Sequence, residues 1–291
     1  LRRLALIVNP SAAGGRTARA LAGVQARLHE LGLPHHTELT RGLEHARELA
    51  RAAAAAGEVA VAFGGDGVVG AVAGALVHGE GVLGVLPGGR GNDFARVLGI
   101  PLEPQAACQV LAGGVERKLD LGQAGARTFI GIASCGIDSD ANRIANEAQR
   151  IRGNLVYAYG ALRALSAWRP ATFTVTLDTG ERRTATGYSV AAANSKAYGG
   201  GMFLAPDATL ADGLLDVVII SDMPKARFLA LLPTVFSGRH VRQRGVEVLK
   251  AREVSVTADR PFTMYADGDP IGELPLTIRA LPAAVTVVVP R

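Results

Sequence analysis

Two cysteines, Cys108 and Cys135, are all that this 291-residue chain contains. That excludes a disulfide framework and a four-cysteine zinc site, and it fits a reducing, cytoplasmic setting. Aromatic residues are scarce, at 5%. No apolar run approaches the roughly 18 residues a membrane-spanning helix needs, so any membrane contact is expected to be peripheral. The first residues enter a strand pattern without the signature of a signal peptide. Six histidines are scattered, and the adjacent His35 and His36 lack the spaced carboxylate or cysteine companions of a metal site. A phosphate loop of the form G-x-x-x-x-G-K-S/T is also missing, so a bound nucleotide would need another cradle. Charge excludes little: the net +5 suits an acidic ligand such as a nucleotide, or an anionic membrane surface, and equally suits no partner. No nucleic-acid partner is expected.

What is present is ordinary globular material, 48% apolar and 20% charged, in a length that suggests two domains sharing a cleft. The first half alternates strand and helix. Leu4–Val8 reads as a strand ending in the turn Asn9-Pro10-Ser11-Ala12-Ala13-Gly14-Gly15, followed by a helix over Thr17–Leu31. Thr37–Thr40 is a short strand, Glu44–Ala56 an alanine-rich helix, Val59–Phe63 a strand, Val68–Val77 a helix and Val82–Leu86 a strand. The last of these strands stops at Pro87-Gly88-Gly89-Arg90-Gly91, ahead of Asn92-Asp93-Phe94-Ala95-Arg96. In an open, mostly parallel sheet, three such glycine turns gather at the carboxyl ends of the strands, where ligands bind.

The turn Gly64-Gly65-Asp66-Gly67 is the most informative. Its glycines permit positive φ and bare N–H groups at a helix start, which suits an anion. Asp66 would repel a phosphate unless a cation such as magnesium lay between them. Gly65, Gly67 and Gly70 also match the dinucleotide fingerprint G-x-G-x-x-G, but the next strand ends in Pro87 and Gly88 where that fold wants an acidic residue. Asp93 and Asp120 could join Asp66 at the same sheet edge; as isolated residues they read equally well as a helix cap or a turn former.

Beyond Gly122 the pattern changes to a helical region over 139–168 and many short strands, with Leu276–Ala280 and Val285–Val289 as the last two, and this suggests a mainly antiparallel sandwich. Asp212-Gly213 and Asp267-Gly268-Asp269 read as hairpin turns. The second also offers a carboxylate able to take a proton from a substrate hydroxyl.

In order along the chain, Asn9-Pro10, Gly64-Gly65-Asp66-Gly67, Pro87 to Arg96, Tyr198-Gly199-Gly200-Gly201 through Pro206, Asp212-Gly213 and Asp267-Gly268-Asp269 resemble the diacylglycerol kinase catalytic family. The similarity is to its soluble bacterial lipid kinases, relatives of sphingosine kinase, and covers nearly the whole length. It implies an α/β fold: an N-terminal nucleotide-binding α/β domain over residues 1–122, and a C-terminal mainly antiparallel β-sandwich domain over 123–291 that carries the helical insert and binds lipid. It implies ATP and Mg as cofactors, with the γ-phosphate passing to a hydroxyl of a diacylglycerol-like lipid. Asn9, Pro10, Ser11, Gly14, Thr40, Gly64, Gly65, Asp66, Gly67, Arg90 and Asn92 would surround ATP. Asp66, Asp93 and Asp120 would form the network around catalytic magnesium. Asp267 would be the general base, with Asp269 where the family usually has glutamate. Asp212, with the carbonyls of Thr209 and Leu214, would hold a second, structural magnesium.

Departures from the family pattern are local. Val68, Gly70 and Ala71 stand where it usually has threonine and then asparagine-glutamate, and Arg90 where a threonine contacts nucleotide. Two other functions stay open at this stage: an NAD kinase, whose superfamily shares the Gly-Gly-Asp-Gly turn, and a nucleotide or lipid sensor without activity. Within 139–168, Leu155, Val156, Tyr157, Tyr159, Leu162 and Leu165 among Arg143, Arg150, Arg152, Arg163 and Arg169 read either as a helix covering the sandwich or as a membrane-contact region. A homodimer is compatible with the sequence, which sets neither the oligomeric state nor the lipid.

Overall fold

A computed structural model describes residues 2–137, 139–140, 144 and 163–291. Its amino-terminal part is a parallel α/β unit. Four strands, β1 (Leu4–Val8), β2 (His35–Leu39), β3 (Val59–Gly64) and β4 (Val82–Pro87), run parallel in the order β4-β3-β1-β2. Every residue of β1, β3 and β4 is buried, as strands covered on both faces require, whereas the edge strand β2 is half-exposed. The covering helices are α1 (Ala12–Glu30), α2 (Leu43–Ala55) and α3 (Asp66–Ala75). α2 buries Ala46, Ala50 and Ala53 at helical spacing, and such small side chains let it lie close against the sheet and α3.

Register brings the strand ends level: Val8 pairs with Phe63, and Gly64 with Pro87. The three turns therefore emerge side by side at the carboxyl edge. α1 begins earlier than its apolar spacing suggests, because Ala13, Gly14 and Gly15 form a left-handed kink with φ of 48°, 68° and 83° before the regular helix. α4 (Asp93–Val97) and α5 (Pro104–Gly113) follow β4 and lead into β5 (Val115–Ala124) and β6 (Arg127–Phe129).

The second part is antiparallel: β7 (Ile132–Gly136), β8 (Ala171–Leu177), β9 (Arg182–Ala193), β10 (Leu215–Ser221), β11 (Val246–Ala251), β12 (Glu253–Ala258), β13 (Thr263–Ala266), β14 (Asp269–Glu273) and β15 (Leu276–Val289), with α6 (Lys225–Val235) and a 3-10 turn (Arg239–Arg242) between β10 and β11. The long β9 serves both layers of the sandwich: its first half pairs with β8, and Ser189–Ala193 pairs with β7. It turns the corner at Gly187, where a Cβ would lie 2.3 Å from the Ile220 carbonyl oxygen. Phe173, Tyr188, Val190, Trp168 and Phe262 fill the core between the layers. Each such buried side chain contributes about 1.5–3 kcal/mol by leaving water.

One expectation is overturned here. Leu276–Ala280 and Val285–Val289 are not two strands of the sandwich but one strand, β15, with an irregularity between Leu281 and Val285. Its first half pairs with β12, while Thr286 and Val287 pair in parallel with Val82 and Leu83 of β4. Val285, Val287 and Val289 thus belong to the amino-terminal core. Most of the expected helix over 139–168 lies outside the described residues, including Leu155, Val156, Tyr157, Tyr159, Leu162, Arg143, Arg150 and Arg152. At its end, Leu165 and Trp168 are buried in the sandwich core.

Candidate functional site

The three amino-terminal turns interlock because glycine lets their backbones touch. A Cβ on Gly89 would sit 2.4 Å from Gly65 Cα, so neither turn could keep its place with a side chain there. Asn92, itself left-handed with φ 52°, closes the Gly89 turn: its Oδ1 accepts from Gly89 N–H at 2.8 Å and its Nδ2 donates to the Gly89 carbonyl at 3.1 Å. In the first turn Asn9 Oδ1 accepts from the N–H and Oγ of Ser11, and Asn9 N–H donates to the Phe63 carbonyl next door. Thr40 is buried beside them, its N–H on the Val8 carbonyl, while Arg90 lies exposed at the tip of its turn.

Asp66 and Asp93 converge across Gly91. A Cβ on that glycine would lie 3.2 Å from Asp66 Oδ2 and 3.1 Å from Asp93 Oδ2. Asp66 Oδ1 accepts from Phe94 N–H, and Asp93 Oδ2 from Gly200 N–H at 2.8 Å, which ties the glycine run of the second half to this edge. The remaining Asp93 oxygen is buried and receives no hydrogen bond. Burial, followed by Asp66, raises the Asp93 pKa against the pull of Gly200. Two hard oxygen donors with an orphaned lone pair between turns that suit phosphate fit a magnesium ion, which keeps water and phosphate among its ligands. Among the described residues, no group of three or more His, Cys, Asp or Glu side chains could hold a metal by itself.

Asp120 is used differently. It is 2% exposed, and its two carboxylate oxygens accept from the N–H groups of Gly213 and Ala283, both at 2.7 Å. It fastens the Asp212 turn and the bend of β15 together.

Asp267 arrives from the far end of the chain. Tyr265 and Ala266 of β13 pair with Ser134 and Ala133 of β7, so the hairpin tip lies over the segment preceding β7. Asp267 and Gly268 have φ of 52° and 91°, as a tight turn with both central residues left-handed demands. Asp267 Oδ2 accepts from Ile130 N–H at 2.8 Å and Oδ1 from Gly131 N–H at 3.0 Å. Burial nevertheless pushes its pKa up to about 7, with Asp66 and Asp269 adding repulsion. Gly70 is a neighbour of this carboxylate: a Cβ there would stand in ordinary contact, 3.6 Å from Asp267 Oδ2. Asp269 opens β14 and is exposed.

One cavity of about 740 Å³ contains Asp66, Gly67, Gly70, Ala71, Asp267 and Asp269, with Arg47, Arg51 and Arg127 on its walls. Residues from both halves of the chain therefore face one space. Val68 does not: it is 2% exposed and packs against Gly64.

Sequence reasoning missed the partners that aim Asp267. Asn194, fully buried at the end of β9, donates through Nδ2 to the carbonyls of Asp120 and Ile130, both at 3.0 Å, and its own N–H donates to the Gly131 carbonyl. An asparagine ending an apolar strand was the available signal. At Asp212 the structure places Lys250, whose Nζ is 2.9 Å from Oδ2, while Oδ1 accepts from Leu214 N–H. Thr209 is exposed.

Comparison with known proteins gives two family matches along the chain. A family profile described as diacylglycerol kinase catalytic domain matches residues 3–124, and one described as YegS C-terminal NAD kinase beta sandwich-like domain matches residues 131–289. The chain is 36% identical over 232 residues to a diacylglycerol kinase of Mycobacterium tuberculosis, covering 78% of this chain and 75% of that one. In structure it is similar to a diacylglycerol kinase from Bacillus anthracis, with a TM-score of 0.76 at 19% identity over 99% of this chain and 97% of that one. An NAD kinase from Archaeoglobus fulgidus is more distant, with a TM-score of 0.55 at 14% identity over 98% and 92% of the two chains, and shows a shared fold alone.

Proposed function

Because the chain belongs to the diacylglycerol kinase catalytic family, whose members are phosphotransferases, we propose that it transfers the γ-phosphate of ATP to a hydroxyl of a diacylglycerol-like lipid. What carries this reading is the meeting of Asp66 and Asp267 in one cavity between phosphate-sized turns and the sandwich.

In this reading the nucleotide lies along the turns of Asn9–Gly14, Thr40 and Gly64–Gly67, where N–H groups at the start of α3 meet phosphate oxygens. Arg90, exposed beside them, adds a guanidinium able to contact phosphate. Asp66 and Asp93 would hold magnesium, which when bound would neutralise charge on the transferring phosphoryl group. Asp120 supports that arrangement from behind, through the loops it anchors.

Asp267 takes the proton of the acceptor hydroxyl as the oxygen attacks phosphorus. A carboxylate with a pKa near neutrality suits that task, since it is ionised in use yet basic enough to accept a proton. The N–H groups of Ile130 and Gly131 fix its direction, and the cavity it shares with Asp66 and Gly70 is where the hydroxyl approaches. Asp269 keeps negative charge near the base and helps hold its pKa up. No helix among the described residues is long and apolar enough to cross a membrane. In this reading the lipid is met by peripheral contact, toward which the net charge of +5 contributes.

The deciding experiment measures ATP consumption with magnesium and a panel of lipid acceptors, with NAD, and with no acceptor. Phosphorylation of a diacylglycerol-like lipid is the expected result. Turnover with NAD alone, or with none of the acceptors, refutes the proposal.

A further inference from the structure

Away from the cavity, a charged cluster with a buried member lies where β10 and β11 pair. The register sets Asp216 directly opposite Lys250. Asp216 is 2% exposed, and its Oδ2 receives no hydrogen bond; Lys250 Nζ lies 3.4 Å from it. The same ammonium reaches Asp212 Oδ2 at 2.9 Å. Asp212 Oδ1 in turn accepts from Leu214 N–H, and the intervening Gly213 N–H is bound by Asp120. One cation therefore sits between two carboxylates and steadies the turn that Asp120 joins to the bend of β15.

Family resemblance implies a structural magnesium at Asp212. That ion requires oxygen donors at about 2.1 Å in near-octahedral geometry, and a lysine has no lone pair to offer while protonated. A divalent ion beside Asp212 would also face a tethered positive charge within ion-pair distance. The donor set in this chain does not fit the metal.

We infer that Lys250 is the resident cation of the Asp212–Asp216 pair, so that this turn is held by a tethered ammonium and takes no divalent ion. The pairing is built into the strand register, and it asks for no ligand from solution. Asp216 would otherwise be a buried carboxylate without compensation, which is strongly destabilising. Lys250 also carries a pKa raised first by its hydrogen bond to Asp212, which favours the charged ammonium.

Thermal unfolding without nucleotide tests this, in an Asp66→Asn background so that metal at the nucleotide turns is not read. With Lys250 intact, the midpoint is expected to be the same in EDTA as in millimolar magnesium or calcium. Lys250→Met should lower the midpoint in EDTA by several degrees, part of which either ion restores, whereas Lys250→Arg should stay near the parent. The inference is overturned if magnesium stabilises the Lys250 protein saturably and Asp212→Asn abolishes the effect. A Lys250→Met protein as stable as its parent also overturns it. Metal indifference of the Lys250 protein can be measured whether or not Lys250→Met folds.

Discussion

Replacing Asp267 by asparagine separates what this carboxylate does for catalysis from what it costs the fold. Its pKa is about 7 in the folded protein against an ordinary 3.8, because burial disfavours its charge. A raised carboxylate pKa means that the folded state binds more protons than the unfolded state between those values, so stability falls as pH rises through that window. Between about pH 5 and about pH 8 the loss works out to about 2–3 kcal/mol for this one group. Asp267→Asn removes that titration. Against this, asparagine offers one acceptor where Ile130 and Gly131 N–H each have an oxygen, a loss of about 1–3 kcal/mol that is nearly independent of pH. The variant should therefore be less stable than the parent at the acid end and gain on it steadily toward the alkaline end. Denaturant unfolding of both proteins across that range reads the difference directly. Turnover should fall about 10²–10⁴-fold in the same variant. In the parent, turnover should rise with pH around neutrality as Asp267 ionises. Parallel stability profiles for the two proteins would refute the raised pKa, and near-normal turnover of Asp267→Asn would refute its role as base.

Asp93→Asn should preserve the fold while weakening magnesium-dependent ATP binding, read by calorimetry with and without the metal; unchanged affinity removes Asp93 from the metal site. Arg90→Ala should raise the Michaelis constant for ATP several-fold with little change in turnover, and an unchanged constant dismisses its phosphate contact. Asn194→Leu leaves the Asp120 and Ile130 carbonyls without their donor, which should cost about 2–4 kcal/mol in two buried hydrogen bonds. Because Ile130 also holds Asp267, the pH midpoint of turnover should shift in that variant, a change that simple destabilisation would not produce.

By itself the sequence determined the alternation of strand, glycine turn and helix through α3 and β4, and the change to short strands afterwards. Those signals are local: side-chain period, branched residues and the positions of glycine act over a few neighbours. It also picked out Asp66, Asp93 and Asp267 by their turns, since an aspartate among glycines is conspicuous without knowledge of its partners. Tertiary structure alone decided what each carboxylate meets. Asp120 reads in sequence like a member of the same set, yet Gly213 and Ala283, 93 and 163 residues away, take both of its oxygens. Lys250 finds Asp216 through the register of β10 and β11, and β15 rejoins the amino-terminal core only after the whole sandwich has been laid down. Propensity and periodicity cannot encode such pairings, because they depend on which backbones close against each other, and that is fixed by the burial of the entire chain.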